Sequence, residues 1–302
     1  MSSLIEQAAH RLEQLRDAGV MLPALPTGPA APIPAAAPTA RPTERLVHSQ
    51  RVELDFELLA ASNIVTPSTP RSLVADQFRL IKRPLIHNAM GKGSVTPSHA
   101  NLIMVTSAVA GEGKSFTSVN LAVSIAAELD HTVMLVDADV ARPSLPQMLG
   151  VPEGRGLLDL LDGSAQMADV LLKTNIDKLT LLRSGTPHAR ATEMLASDAM
   201  RQLLNDMARR YPDRIIIFDS PPLLLTTESR ALAMNMGQIV VVVRAGTTLQ
   251  SDVQHALSTI ETCPLRMMLL NKTRADAEGT SGYGLGYGYG YGYGYGREKH
   301  GA

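Results

Sequence analysis

Apolar runs of five or six residues alternate with helical stretches through most of this chain, and that alternation constrains its fold more than any other feature. The runs are 102–107, 132–137, 179–183, 214–219, 238–243 and 266–271, with helical patterns at 114–129, 197–210 and 249–262. Continuous hydrophobicity marks strands buried on both faces, and helices between them make the crossovers of a parallel sheet. The expected fold is α/β, a mainly parallel sheet with helices on both faces. Ligands of such sheets bind beyond the carboxyl ends of the strands, so the residues that follow each run are the ones to inspect.

Composition divides the chain into four parts. Residues 1–20 read as an amphipathic helix with Leu4, Ile5, Ala8, Leu12 and Leu15 on one side and Gly19 at its stop. A single helix this short is marginal in water, so it docks on a partner or packs on its own domain. Residues 21–48 carry Pro23, Pro26, Pro29, Pro32, Pro34, Pro38 and Pro42 and cannot sustain a helix. They read as an extended linker that holds the first helix away from the rest, which favours the docking reading. The α/β pattern occupies 49–276. Residues 277–302 then run into Tyr-Gly pairs, with Tyr283, Tyr287, Tyr289, Tyr291, Tyr293 and Tyr295 making six of the chain's 7 tyrosines. Glycine at alternate positions is too permissive to hold a regular element, so this tail is expected to be disordered.

Charge and cysteine content narrow the function classes. With 302 residues and a net charge of -1 there is no bulk electrostatic case for nucleic acid or an anionic membrane. Cys263 is alone, which excludes an internal disulfide and fits a reducing compartment. The start of the sequence lacks a secretory signal, and no apolar stretch approaches the ~20 residues that cross a bilayer. The expectation is a cytoplasmic protein without a membrane span of its own, recruited to the membrane's inner face through a partner.

The chemistry follows the strand ends. The run 102–107 leads into Ala108-Val109-Ala110-Gly111-Glu112-Gly113-Lys114-Ser115 and then a helix, the setting of a Walker A phosphate loop (P-loop). Backbone N–H groups at the helix start surround phosphate oxygens while the helix dipole favours their charge. Ala110, Gly111, Glu112, Gly113, Lys114, Ser115 and Phe116 are therefore the candidate nucleotide-binding residues. Lys114 reaches the β- and γ-phosphates, and the Ser115 hydroxyl ligates Mg²⁺. Ala108 stands where the motif has its first glycine. Two further apolar runs end in carboxylates at the same sheet edge, Asp137-Ala138-Asp139 and Asp219-Ser220. A lone aspartate there is usually a cap or turn residue. Two such motifs in order after a P-loop instead fit Mg²⁺ coordination, with Asp219 as the Walker B residue. ATP and Mg²⁺ are the expected cofactors, and the fold class narrows to a P-loop NTPase.

The stretch from Ser107 to Arg142 resembles the bacterial tyrosine kinase (BY-kinase) family, whose Walker A′ has the form apolar-D-x-D-x-x-R; Asp137, Asp139 and Arg142 match it. The resemblance implies that Asp137 organises Mg²⁺ and activates an attacking tyrosine hydroxyl, with Asp139 and Asp219 around the metal. A carboxylate suits that task because a phenol of pKa ~10 needs a positioned acceptor. Segments 156–161, 184–187 and 193–195 also look like family segments. Asp76, Arg79, Lys82 and Arg83 resemble the family's subunit-contact helix, E-x-x-R-x-x-R, with Asp76 and Lys82 replacing the Glu and the last Arg. Lys is the poorer bidentate donor. Without the resemblance these residues read equally as a solvated helix face. Ala110 departs from the family's usual Pro.

The wording of 78–85, the short first helix and the absent span look like the exosortase-associated branch. That implies a ring-like homo-oligomer working with a membrane-anchored polysaccharide chain-length-type activator. The tail tyrosines are then phosphoacceptors modified between subunits, and the implied role is regulation of exopolysaccharide assembly. Composition alone reads the tail as a flexible end or a self-associating Gly-aromatic segment. Two other readings stay open. A ParA/MinD-like P-loop ATPase switch carries a signature lysine early in the loop, where this chain has Val109. A non-catalytic scaffold would use ATP only to assemble.

Overall fold

Strand by strand, the apolar runs split their side chains between two cores. Leu102 and Met104 face one side of the sheet and Ile103 and Val105 the other; Ile216 and Phe218 alternate with Ile215 and Ile217 in the same way, as do Met134 and Val136 with Val133 and Leu135. Residues buried on both faces explain why these strands read as unbroken hydrophobic runs. The computed structural model describes residues 50–273 apart from 69–71, 96 and 211–212. The first helix, the proline-rich linker and the tyrosine tail expected from the sequence lie outside the described residues.

The strands are β1 (Gln50–Val52), β2 (Leu102–Ser107), β3 (Thr132–Asp137), β4 (Leu171–Thr174), β5 (Leu179–Leu182), β6 (Arg214–Asp219), β7 (Gln238–Arg244) and β8 (Leu265–Asn271). They form one sheet in the order β1-β4-β5-β3-β6-β2-β7-β8. Every pairing is parallel except β4 with β5. The mainly parallel sheet expected from the sequence is present, with two strands that were not foreseen, β1 and β4.

Helices cover both faces. On one lie α1 (Phe56–Ala61), α2 (Leu73–Ala89), α3 (Lys114–Ala126) and α4 (Leu145–Leu149), which bury Leu59, Phe78, Leu85, Val119, Leu121, Leu145 and Leu149. On the other lie α5 (Leu157–Leu161), α6 (Met167–Val170), α7 (Ala191–Leu195), α8 (Asp198–Arg210), α9 (Thr227–Ala233) and α10 (Gln250–Ser258). Each fully buried aliphatic or aromatic side chain contributes about 1.5–3 kcal/mol, so packing on the sheet rather than helix propensity holds helices as short as α4 and α5. No helix among the described residues is long and apolar enough to cross a membrane.

The central order β3-β6-β2 positions the site. It sets the strand ending at Asp137 beside the strand ending at Asp219, and that beside the strand leading into the phosphate loop. Asp137 and Asp219 are register partners across β3 and β6.

Candidate active site

The loop between β2 and α3 is shaped by glycines at two left-handed positions, Gly111 (φ +80°) and Gly113 (φ +100°). At Gly113 a Cβ would also lie 2.2 Å from Asn271 Nδ2, so a side chain there would displace Asn271 on top of the backbone strain. Ala108 is tolerated in place of the motif's first glycine because its backbone is not left-handed and its methyl group is buried in the core. Helix α3 starts directly after Gly113 with no side-chain cap. Its first-turn N–H groups and the positive end of its dipole are left for an anion.

Glu112 does not offer its side chain to a ligand. The carboxylate is buried, accepts the N–H of Val109 at 2.9 Å and of Arg244 at 3.2 Å, and accepts the Thr248 hydroxyl. It ties the loop to the end of β7, which leaves only its backbone for phosphate. From β8, Asn271 Nδ2 donates to the Glu112 carbonyl (2.8 Å) and Lys272 Nζ to the Gly111 carbonyl (3.0 Å). With its carbonyls drawn outward, the loop is held open for phosphate on its inner side. Phe116 likewise packs its ring on Phe78 of α2, centroids 6.3 Å apart and edge-on, away from the loop. Ala110 is exposed at the loop's crest.

Lys114, Asp137, Asp139 and Asp219 come together around the start of α3. Asp219 is fully buried; Ser118 Oγ donates to its Oδ1 at 3.0 Å, while Oδ2 has no hydrogen-bond partner among the described residues. Burial pushes the Asp219 carboxyl up to about 6, against the pull of the nearby Ser115 hydroxyl, the Lys114 charge and Ser118. Asp137 is also fully buried and accepts N–H groups from Asp139 (3.3 Å) and Leu145 (3.2 Å). Burial, then the Asp219 charge, raises it to about 8. Asp139 is half-buried and raised by burial, which the charges of Lys114 and Arg142 oppose. Arg142 is exposed, and its N–H donates to Asp139 Oδ1 at 3.1 Å. Two buried carboxylates side by side repel while protonation is their only relief, a situation that a divalent cation reverses.

The donor set fits Mg²⁺. It consists of hard oxygens, and an orphaned buried oxygen at Asp219 is an anionic position waiting for a partner. The three aspartates are neighbours, but among the described residues no three His, Cys, Asp or Glu side chains are close enough to make a ready-made metal cage. That too suits Mg²⁺, which keeps several waters and takes one or two carboxylates plus phosphate oxygens.

Two of the remaining family-like segments, 156–161 and 184–187, meet each other. Leu157 and Leu158 N–H donate to the carbonyls of Arg183 and Ser184. Asp159 accepts the N–H of Gly156 and both the N–H and the hydroxyl of Thr186. Burial raises the Asp159 carboxyl, but these hydrogen bonds outweigh it and hold it below the ordinary range. Gly156 is required because a Cβ would lie 2.0 Å from the Arg183 carbonyl oxygen.

Of the four residues expected on a subunit-contact helix, three are exposed on α2. Asp76 and Arg79 form an ion pair, and Arg83 stands free of the core. Lys82 differs from the other three: it is buried, donates to the Ser124 carbonyl at 2.5 Å and pairs with Glu128 at 2.6 Å, so within the chain its charge holds α2 on α3. One residue the motifs did not single out is Ser144, whose hydroxyl lies 2.7 Å from that of Ser115.

Comparison with known proteins agrees with this geometry. The ParA-group family model described as NUBPL iron-transfer P-loop NTPase matches residues 98–269, more than half of the chain. Tyrosine-protein kinase YwqD of Bacillus subtilis is 27% identical over 223 residues, 73% of this chain and 90% of the relative. Tyrosine-protein kinase CpsD of Streptococcus pneumoniae is 33% identical over 159 residues, 51% of this chain and 67% of the relative. The kinase domain of Escherichia coli tyrosine kinase ETK superposes with a TM-score of 0.63 at 25% identity, covering 79% of this chain and 85% of that one. Other matched tyrosine kinases are much longer, and the chain spans 21% to 30% of them. A phosphate loop flanked by two buried strand-end carboxylates, together with these relatives, places the chain: it belongs to the ParA-type P-loop NTPases and, within them, to the bacterial tyrosine kinases.

Proposed function

We propose that this kinase uses ATP and Mg²⁺ to phosphorylate the tyrosine cluster of its own C-terminal tail, between subunits of a homo-oligomer, and so regulates exopolysaccharide polymerisation or export. The observation that carries the reading is the convergence of Lys114, Asp137, Asp139 and Asp219 on the phosphate loop. The loop N–H groups and Lys114 hold the phosphates. Ser115 and Asp219, with Asp137 and Asp139 nearby, would hold Mg²⁺ and its waters, and the ion when bound neutralises charge on the transferring phosphoryl group. Transfer breaks the γ-phosphorus–oxygen bond to ADP and forms one to the tyrosine oxygen, whose proton passes to a carboxylate. The family resemblance gives that base role to Asp137. Exposure favours Asp139 as the group a phenol reaches first, because Asp137 lies behind it with both oxygens engaged. Tyr283, Tyr287, Tyr289, Tyr291, Tyr293 and Tyr295 are the acceptors. Residues 1–20 supply the contact to a membrane-anchored activator of the polysaccharide chain-length type.

The nucleotide switch is the second reading, and Val109 counts against it. Its side chain packs on the core and its N–H is held by Glu112, in the place where the switch class needs a lysine reaching over the phosphates. Incubation of the purified chain with ATP and Mg²⁺, followed by a phosphotyrosine blot, separates the two. The expected result is a signal lost on deleting residues 283–296 and reduced at least about 100-fold in rate by Lys114→Met, the scale for removing one group that stabilises transition-state charge. No signal, even with the activator's cytoplasmic segment present, leaves the switch or the scaffold.

A further inference from the structure

The two edges of the sheet are finished in opposite ways. At one edge β1 is three residues long, and its exposed Gln50 and Arg51, with the Arg51–Glu53 ion pair, blunt it against further pairing. At the other edge β8 runs for seven residues from Leu265 to Asn271, pairs only with β7 among the described strands and carries a single charge, Arg266. Met267 and Leu269 pack on the core, so Met268 (64% exposed) and Leu270 (62%) stand with Arg266 on the opposite, open face. Beyond the ladder with β7, no backbone hydrogen bond reaches residues 266–270 from the other described residues. A long apolar edge with no proline or lysine in it is a template for one more strand.

The sequence that follows has the period such an edge accepts. From position 283 to 295 every odd residue is a tyrosine except Leu285, and every even one is a glycine. Alternate residues of a strand share a face, so the large side chains would line one side and the glycines the other. The chain also leaves β8 only a dozen residues before this repeat: a turn over 272–283 would bring Gly284 back beside Asn271, antiparallel to β8. Leu285 would then stand across from Leu270, Tyr287 from Met268 and Tyr289 from Arg266, which sets aliphatic against aliphatic, ring against thioether and ring against cation. A slip of two residues keeps the same face, so the repeat offers several equivalent registers. The entropy that glycine loses keeps such docking weak, as a segment that must also leave requires. A second copy's β8 fits the same edge, but the alternation and the short connection favour the chain's own tail.

We propose that residues 284–289 of the same chain dock on the free edge of β8 as an antiparallel strand, with their large side chains over Arg266, Met268 and Leu270. Under the kinase reading, docking withholds Tyr287 and Tyr289 as acceptors. That consequence rests on the reading but the docking does not, and a test without nucleotide lets the two fail separately. Amide hydrogen exchange in residues 265–271 is followed by mass spectrometry in the phosphatase-treated full chain at low and high protein concentration. Deleting residues 283–296 is expected to speed exchange there about three- to tenfold, the scale of one net hydrogen bond, and protection in the full chain is expected to be the same at both concentrations. Leu285→Pro with Gly286→Pro is expected to match the deletion while leaving residues 50–273 unchanged. Neighbouring residues of a strand turn their N–H groups to opposite sides, so one of the two prolines must remove a bond to β8. Met268→Glu with Leu270→Glu is expected to do the same from the other side, with thermal melting to check that it folds. Equal exchange in the full chain and the deletion overturns the proposal. So does protection that survives the two prolines or the two glutamates, and so does protection that fades on dilution, which assigns the edge to a second copy.

Discussion

Asp137 and Asp219 keep their protons in the folded, metal-free protein to about pH 8 and about pH 6, because burial penalises their charged forms and, at Asp137, the Asp219 charge adds to it. In the unfolded chain both lose them near pH 4. Across that window the unfolded state binds fewer protons, so stability falls as pH rises from about 4 to about 8 and levels off above. The slope from one proton reaches about 1.4 kcal/mol per pH unit. Urea midpoints measured in EDTA at several pH values should show this fall in wild type and lose its part above pH 6 in Asp137→Asn; parallel curves would show that Asp137 is charged in the folded state. The carboxylates themselves were legible in the sequence, since strand ends after a P-loop are where such chemistry sits. The role of Glu112 was not. It lies inside the motif, but its partners Arg244 and Thr248 are more than 130 residues away, and no local pattern records that its carboxylate faces inward. Ser144 was missed for the same reason: its partner Ser115 lies 29 residues earlier.

At the scale of elements, α2 and α3 behave as one unit. Phe78 meets Phe116 next to Ser115, and Lys82 reaches Ser124 in the last turn of α3 and Glu128 just beyond its end. The bond from Lys82 is the largest cause that holds the Glu128 carboxyl below its ordinary range. Glu128 is partly in water, so losing its partner does not strand a buried charge. The expected cost of Lys82→Met is therefore that of a hydrogen bond to a charged group, about 1–3 kcal/mol in urea unfolding, with no change in oligomer mass. A change in mass at unchanged stability would return Lys82 to the subunit contact suggested by the motif. The long strands were readable because burial on both faces writes itself as an apolar run. Strand β4 was hidden because Leu171 follows α6 at Val170 with no turn residue between them, and periodicity does not divide a short apolar helix from a short apolar strand. Strand β1 was hidden differently: Gln50 and Arg51 are exposed and carry no alternation, and the pairing with β4 alone makes them a strand.

For the whole molecule, the outer face of α2 is a feature that the other described residues leave uncovered. Leu73 (72% exposed) and Leu80 (55%) stand on it with Asp76 and Gln77 between them, at the spacing of one helical stripe. Apolar residues framed by charge suit a contact between copies, and the notion of an assembly regulated by its own product follows from electrostatics. Six phosphorylated tyrosines add about -9 to -12 charges to each tail, against a net charge of -1 for the whole chain. In the proposed ring such tails would repel one another, and at physiological ionic strength that repulsion reaches about 8 Å. Light scattering coupled to size exclusion should give an oligomer for the unphosphorylated chain and a smaller species after incubation with ATP and Mg²⁺. Leu80→Glu should be small in both states. Salt near 1 M, where the range falls to about 3 Å, should restore the phosphorylated oligomer but not the Leu80→Glu one. Equal masses before and after phosphorylation would remove the tail as the regulator, whereas an oligomeric Leu80→Glu would remove α2 as the contact.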